Sequence, residues 1–259
     1  MFHIMSITHM DYSSALISTI AKTHNIKTQE YAELKLQLQS LANDLFDGHI
    51  SNDAAMHVLY KILSKVQRKR VQYDMRADER VQNIQNLITI KPKTILDIGA
   101  GSGKIIAALK NAFGLHTKNV YAIDKKLPVN SNVSTLEYAS DGSIPLEDHS
   151  IDLIICFMTL HHISPYARSA LIKEMRRILA PGGTIVIREH DSDNTREFYI
   201  FMNMLHMIWY ISNNETQDPL YLMPKEEIER LFNDNGFHAV NMQTYTNKNP
   251  QRIYFETFN

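Results

Sequence analysis

The spacing of hydrophobic residues changes character about a third of the way along the chain. In residues 51–66 apolar side chains recur every three or four positions, which is typical of an amphipathic helix. Residues 28–46 carry a less regular series of leucines, and residues 71–88 are polar for most of their length. We expect all three segments to be helical and residues 1–92 to form a helical N-terminal extension.

From Lys93 onward, short apolar runs alternate with amphipathic helical patterns. The predicted strands are residues 94–99, 120–124, 134–140, 151–160 and 184–189, and the helices between them are residues 103–113 and 167–180. Such alternation predicts an α/β fold whose mostly parallel sheet has helices on both faces. A further helix at 224–237 precedes two candidate strands, 239–245 and 252–258, which we expect to close the 93–259 domain as an antiparallel pair.

The first predicted strand leads into a glycine-rich turn, Asp-Ile-Gly-Ala-Gly-Ser-Gly-Lys, at residues 97–104. A phosphate-binding P-loop would need glycine in place of Ile98 and a hydroxyl side chain in place of Ile105. A dinucleotide fingerprint would need glycine in place of Lys104, and the carboxylate of Asp97 would repel a pyrophosphate. The turn therefore favours a ligand that presents a positive amino group and no phosphate at this place.

The pattern Asp-x-Gly-x-Gly-x-Gly, formed here by Asp97, Gly99, Gly101 and Gly103, resembles the first motif of the class I S-adenosylmethionine-dependent methyltransferases. Glycine lets the backbone pass close to a ligand, because any side chain there would collide with it. Asp124 ends the second predicted strand 21 residues after Gly103. A ribose-binding acid is expected about 20 residues on, although a strand-end Asp can also simply cap the next turn.

The resemblance extends over residues 93–257 and leaves out the helical N-terminus. Residues 138–163 are similar to the third and fourth motifs of the branch that modifies quinones and small molecules, and residues 178–187 match its loop before strand five. It implies a Rossmann-like class I methyltransferase sheet that binds S-adenosylmethionine, with Asp141 facing the adenine amino group and Ser140 assisting. The cofactor-binding residues that it implies are Asp97, Gly99, Ala100, Gly101, Gly103, Asp124, Lys125, Ser140, Asp141, Gly142 and Phe157.

Methyl transfer from a sulfonium ion is an in-line displacement, so the enzyme mainly positions its reactants and needs a base only if the acceptor must lose a proton. His161 and His162 follow the fourth predicted strand, and Glu189 and His190 end the fifth, on the edge where the methyl group is expected to emerge. These four are the candidate catalytic residues. The alternatives are a structural role for the histidines and an ion pair within residues 187–191.

No metal centre is predicted at this edge. Metal-dependent catechol-type methyltransferases carry paired acids after strands four and five, and Glu189 with Asp191 supplies only half of such a set. The Asp/Asn-Pro-Pro-Tyr/Phe motif of amino-directed nucleic-acid methylases does not follow the fourth predicted strand either.

Residues 198–211 form an aromatic- and methionine-rich segment at the place where this family usually inserts its acceptor-recognition element. Side chains at helical spacing there either line a pocket for a flat or greasy acceptor or belong to the core. The side chains concerned are Phe201, Met202, Leu205, His206, Trp209 and Tyr210.

Charge and composition narrow the choice of partners. The chain has 27 Lys and Arg against 28 Asp and Glu, so no overall field attracts nucleic acid. Residues 61–70 hold five basic residues and no acid, which indicates either an RNA-binding strip or a solvated helix end. A single cysteine, Cys156, and the absence of a basic leader or a membrane-spanning apolar run favour a soluble, cytoplasmic protein.

The sequence therefore predicts an enzyme that transfers a methyl group from S-adenosylmethionine to a small or medium organic molecule. Three alternatives stay open. The first is methylation of RNA, for example of a 5′ cap, through residues 61–70. The second is a non-catalytic scaffold that binds S-adenosylmethionine. The third is a nicotinamide-dependent dehydrogenase, against which Asp97 and Lys104 argue.

Overall fold

The chain divides into two compact units. The computed structural model describes residues 14–16, 18, 28–64, 77–126, 133–139, 142–213, 215, 217–244 and 251–259 of the 259. The first unit is drawn from Met1–Tyr73, Ser192–Leu220 and Asn247–Gln251, and the second from Asp74–Asp191, Tyr221–Thr246 and Arg252–Asn259.

Helices and strands alternate through most of the described chain. The helices are α1 (Thr28–Phe46), α2 (Asn52–Ser64), α3 (Ala77–Leu87), α4 (Lys104–Phe113), α5 (Pro165–Ile178), α6 (Arg196–Asn213) and α7 (Lys225–Asn233). The strands are β1 (Ile95–Ile98), β2 (Val120–Ile123), β3 (Ser134–Leu136), β4 (Ile151–Phe157), β5 (Leu179–His190), β6 (Ala239–Thr244) and β7 (Ile253–Phe258). Short 3-10 turns lie at Thr117–Asn119 and Leu160–His162.

The second unit is built on a seven-stranded sheet in the order β3-β2-β1-β4-β5-β7-β6. Strands β1 to β5 pair in parallel, whereas β7 is antiparallel to both β5 and β6. The strand order reverses between β1 and β4, which in open α/β sheets is where ligands bind beyond the carboxyl ends of the strands. The predicted α/β sheet with a terminal antiparallel pair is confirmed.

Helices cover both faces of this sheet, as the sequence predicts. On one face α3 and α4 contribute Val81, Ile84, Ile106 and Leu109 to the core. On the other face α5 and α7 contribute a second cluster, formed by Ile172, Met175, Ile228 and Phe232. A sheet that is buried on both sides explains why β1 and β4 are apolar at nearly every position.

Three strand limits differ from the predicted ones by more than two residues, and the first is the end of β3, which lies at Leu136 rather than at residue 140. Strand β5 begins at Leu179 rather than at residue 184, because the pairing with β4 starts early and then shifts register between Ile151 and Leu153. Strand β4 ends at Phe157 rather than at residue 160. The next residue, Met158, has a φ of 54°, a left-handed conformation that a regular strand does not contain.

The first unit contains α1, α2 and α6, which pack against one another. The buried amide of Asn203 on α6 donates to the side-chain oxygen of Asn52 at 3.0 Å and accepts from Gln217 at 2.6 Å. Of the aromatic- and methionine-rich segment, four side chains belong to the buried core and two are half-buried. The four are Phe201, Met202, Leu205 and Tyr210, and the two are His206 and Trp209.

The domain limits predicted from the sequence, 1–92 and 93–259, do not coincide with these units. Helix α3 lies before residue 93 but belongs to the unit that holds the sheet, whereas α6 belongs to the other unit. As functional limits, the two ranges stay a prediction. Among the residues that the structure describes, no helix is both long and apolar enough to cross a membrane.

Candidate active site

The glycine-rich turn follows β1 and is pinned to the end of β2. The backbone N–H groups of Gly99 and Ala100 both donate to the carbonyl oxygen of Ile123, at 2.8 and 3.2 Å. Gly99 has a φ of 74°, and a Cβ atom there would lie 2.0 Å from the side-chain oxygen of Thr159. Glycine is therefore required at this position by the protein's own packing, because the turn lies directly against the loop that follows β4.

Gly101 is different, because its surroundings are open. It also has a positive φ of 54°, but a Cβ atom built there meets no atom of the described residues within 4 Å. Its N–H donates to the Asp124 carboxylate at 2.7 Å, and the same carboxylate accepts from the N–H of Lys126 at 3.1 Å. The turn thus holds Asp124 in place beside an open space, and a carboxylate has lone pairs left for further donors.

Asp97 lies within the buried strand β1, directly before its last residue, and its carboxyl group has little access to water. Only 3% of the residue is exposed. Burial, together with the nearby charge of Asp124, raises the pKa of Asp97 to about 8. Within the described part of the chain, no group hydrogen-bonds to the Asp97 carboxyl. A buried acid of this kind is stabilised in its charged form by a cation brought by a ligand.

The other predicted cofactor residues are placed as follows. Gly103 caps α4 in a left-handed conformation, Ala100 is buried, and Lys125 is exposed. Phe157 is buried at the end of β4 and meets Phe255 edge to face at 5.3 Å. Gly142 has a φ of 85° and donates its N–H to Ala139 at 2.8 Å. Ser140 and Asp141 lie outside the described residues.

Two of the four candidate catalytic residues form a buried pair beyond β4 and β5. His161 Nδ1 lies 2.5 Å from Glu189 Oε1, and each residue is only 2% exposed. The Glu189 carboxylate also accepts the backbone N–H groups of His161 at 3.3 Å and His190 at 2.8 Å. These bonds orient the carboxylate towards Nδ1 of the imidazole.

The other two candidates, His162 and His190, surround this pair. The ring of His162 lies 4.2 Å from that of His161, and the ring of His190 lies 5.1 Å from it. Ligand atoms of His161, Glu189 and His190 all lie within 4.8 Å of one another. Two ligands of one tetrahedral zinc ion are about 3.3 Å apart, however, so the 2.5 Å contact of His161 with Glu189 fits a hydrogen bond rather than a shared metal.

Sequence reasoning missed three residues of this edge. Met158 carries the positive φ that turns the chain out of β4, and Thr159 fills the space beside Gly99. Arg168 lies buried in the first turn of α5 and donates to the carbonyl oxygens of Leu160 and Ile163, on both sides of His161. Met158 is marked only by its backbone conformation, Thr159 contacts a segment far away in sequence, and Arg168 donates to backbone carbonyls, so no local side-chain pattern indicates them.

The fold and this edge of the sheet define a class I S-adenosylmethionine-dependent methyltransferase. A family model described as a methyltransferase domain matches residues 67–241, which is more than half of the chain. The protein belongs to this methyltransferase family, and its methyl donor is S-adenosylmethionine.

Similar proteins agree with this class. The demethylmenaquinone methyltransferase of Staphylococcus aureus is 26% identical over 202 residues, which cover 70% of this chain and 78% of that protein. That of Staphylococcus saprophyticus is 27% identical over 172 residues, covering 58% and 72%. Among solved structures, the PH0226 protein of Pyrococcus horikoshii has a TM-score of 0.51 at 16% identity, covering 72% of this chain and 92% of its own. A Haloferax volcanii chain, solved with the Trm112 methyltransferase activator, has a TM-score of 0.50 at 15% identity, covering 72% and 96%.

The residues of the turn fit S-adenosylmethionine. Its amino group is a cation that can pair with the buried Asp97 carboxylate, and the hydroxyl groups of its ribose can donate hydrogen bonds to the anchored Asp124. The open space at Gly101 leaves room for a ligand to touch the backbone. The fit therefore rests on the carboxylates of Asp97 and Asp124 and on the backbone of the glycine-rich turn, which lies where the strand order of the sheet reverses.

Proposed function

We propose that the protein methylates a small or medium-sized organic acceptor that must lose a proton, and that His161 takes this proton. The observation that carries the proposal is the buried 2.5 Å contact between His161 Nδ1 and Glu189 Oε1. The acceptor class is supported by the relatives that act, by their names, on demethylmenaquinone, a small organic molecule.

The proposed chemistry follows from the orientation of the imidazole. When bound, S-adenosylmethionine supplies a methyl group on a cationic sulfur. Nδ1–H of His161 donates a hydrogen bond to the Glu189 carboxylate, so Nε2 is the unprotonated, basic nitrogen. The acceptor proton would move to Nε2, and its bonding electrons would stay on the acceptor atom. That atom would bond to the methyl carbon as the carbon–sulfur bond breaks, and the electrons of the broken bond would stay on sulfur. The negative charge of Glu189 stabilises the imidazolium that results.

The cofactor would be held where β1 and β2 end, at the same edge of the sheet as His161 and Glu189. Asp97 would bind the amino group, Asp124 the ribose, and the backbone from Gly99 to Gly103 would line the ligand. His162 and His190 remain candidate catalytic residues beside the pair. The role of these residues and the cytoplasmic location stay predictions.

The acceptor class is tested with methyl-labelled S-adenosylmethionine and a cell extract separated into RNA and organic-soluble metabolites. We expect label in the metabolite fraction. Label in the RNA fraction would favour the alternative that involves residues 61–70, of which residues 65–70 lie outside the described part of the chain. Binding of the labelled donor without transfer to either fraction would favour a scaffold.

The base is tested with the variants His161→Gln and Glu189→Gln. Loss of a general base lowers kcat by about 100-fold or more, and the affinity for S-adenosylmethionine should not change. His149→Gln is the matched control, because His149 Nδ1 contacts the carbonyl oxygen of Leu179 at the other end of β5. Equal kcat values for His161→Gln and His149→Gln would contradict the proposal.

A further inference from the structure

Arg168 is a buried cation whose hydrogen bonds go to neutral groups. Only 2% of the residue is exposed. Its Nε–H donates to the carbonyl oxygen of Leu160 at 3.1 Å, and one terminal nitrogen donates to those of Ile163 and Tyr221, both at 2.9 Å. The other terminal nitrogen contacts the sulfur of Met223. The guanidinium is thus well bonded, but to backbone carbonyls and a thioether.

These partners enclose the backbone of His161. Leu160 comes directly before His161, and Ile163 comes two residues after it. The N–H of Tyr221 donates to the carbonyl oxygen of His161 at 2.7 Å, while the carbonyl oxygen of Tyr221 accepts from Arg168. Three hydrogen bonds and the peptide bond between Leu160 and His161 therefore form a closed ring, which runs from Arg168 through Leu160, His161 and Tyr221 back to Arg168.

The geometry of this set suits arginine and not lysine. A guanidinium carries five N–H donors in a rigid plane and can reach several carbonyls at once, whereas an ammonium is a single point on a flexible stem. Burial lowers the pKa of Arg168, and the negative charges of Glu189 and Glu227 act against that shift. A buried charge without a directly bonded carboxylate is costly, so packing alone does not explain its presence.

We propose that Arg168 is a positioning residue, which holds the His161 backbone so that the imidazole meets Glu189. Its effect on methyl transfer rests on the proposed function of His161. Arg168 acts through the turn at residues 160–163 and touches neither donor nor acceptor.

The test compares Arg168→Lys, which keeps the charge and loses the planar donors, with Arg168→Met, which loses both. Arg177→Lys is the matched control. Arg177 lies on the same helix and also donates to two loop carbonyls, those of Ile144 and Leu146, both at 2.8 Å, but far along α5 from the histidines.

The first measurement is the proton NMR signal of His161 Nδ1–H, which a short bond to a carboxylate moves far downfield. Its loss in Glu189→Gln assigns it. We expect the signal in the wild type and in Arg177→Lys, and its loss or upfield shift in both Arg168 variants. The second measurement is kcat, which should fall by about 10- to 100-fold in the Arg168 variants, with unchanged affinity for S-adenosylmethionine.

A wild-type signal and wild-type kcat in Arg168→Lys would overturn the proposal. Loss of the signal with an unchanged kcat supports the positioning by Arg168 and contradicts the proton transfer by His161, so the two proposals fail separately. If Arg168→Met does not fold, the test rests on Arg168→Lys alone. Its urea midpoint is then compared with that of Arg177→Lys, to show that the variant is folded.

Discussion

Asp97 is an acid that the fold keeps mostly protonated at neutral pH until a cation arrives. With a pKa of about 8, its carboxyl group carries a proton near pH 7, and binding of an ammonium group favours the ionised form. We therefore expect S-adenosylmethionine to release roughly one proton on binding near pH 6.5. Calorimetry in buffers of different ionisation enthalpy measures this number directly.

Asp97→Asn is the control for this calorimetric experiment. The amide cannot ionise, so its complex should release no proton and should bind more weakly. For the wild type, affinity should rise between pH 6 and 8, because the proton on Asp97 is lost progressively over that range. A wild-type complex that forms without proton release would contradict the role of Asp97.

Alanine substitutions at Gly99 and Gly101 distinguish a requirement of protein packing from a requirement of ligand contact. Both have positive φ, so alanine costs about 1–2 kcal/mol of backbone strain at either position. Gly99→Ala also drives a methyl group into Thr159, whose Cβ, Cγ2 and Oγ1 atoms lie at 2.8, 2.6 and 2.0 Å. We expect a larger loss of unfolding free energy for Gly99→Ala, by about 1–3 kcal/mol from overpacking, measured by urea denaturation.

The double variant Gly99→Ala/Thr159→Gly supplies the check on this clash. It removes the three Thr159 atoms that lie nearest to the new methyl group, and its stability should exceed that of Gly99→Ala. In Gly101→Ala the methyl group meets no atom in the part of the chain that the structure describes, so the variant should fold and lose affinity for S-adenosylmethionine. Normal cofactor affinity in Gly101→Ala would mean that the ligand does not pass there.

The sequence could predict the cofactor side of this site better than the acceptor side. The turn at residues 97–103 is contiguous, and each glycine or acid in it has a local reason. The His161–Glu189 pair joins residues 28 positions apart, and strand ends alone put them on one edge without making them partners. The contact of Thr159 with β1, 61 residues away, follows only from the packed sheet.

The sequence could predict that each strand and helix of the sheet domain exists, but not the residues at which each one begins and ends. Periodicity indicated every strand of the sheet, and most clearly the central strands β1 and β4, which are buried and therefore apolar at nearly every position. The early start of β5 depends on its pairing with Ile151, and the early end of β4 depends on the backbone of Met158. Neither property is visible in the hydrophobic pattern.

Strand β7 and helix α7 meet at a pair of acids. Glu256 is 1% exposed, and burial together with Glu229 raises its pKa to about 8. Between pH 4.5 and about 8 the folded chain keeps a proton that the unfolded chain has released, so this group makes the protein less stable as pH rises. We expect Glu256→Gln to reduce the loss of stability between pH 6 and 9, measured by urea midpoints at both values.

Glu227→Gln is the control for this effect. Glu227 lies on the same helix and is exposed, and it is not among the charges that raise the pKa of Glu256, so its removal should leave the pH dependence of stability unchanged. If Glu256→Gln shows the same slope as the wild type, the proton is not held at Glu256.

For the whole molecule, the near balance of 27 basic and 28 acidic residues has a measurable consequence. A protein that binds a small acceptor through a few contacts releases few counterions, so the KM for the acceptor should change little between 50 and 300 mM salt, less than about threefold. Steady-state kinetics at several salt concentrations measure this. A steep increase of KM with salt would indicate a polyanionic acceptor such as RNA.

The position of β7 has a consequence for how the chain is made. This strand lies between β5 and β6, and β6 pairs with β7. During synthesis on the ribosome, β5 therefore keeps an open edge until residues 253–258 emerge, some 60 positions after β5 itself ends. A nascent chain that stops before residue 253 would lack two strands of the sheet, because β6 would have no neighbour to join.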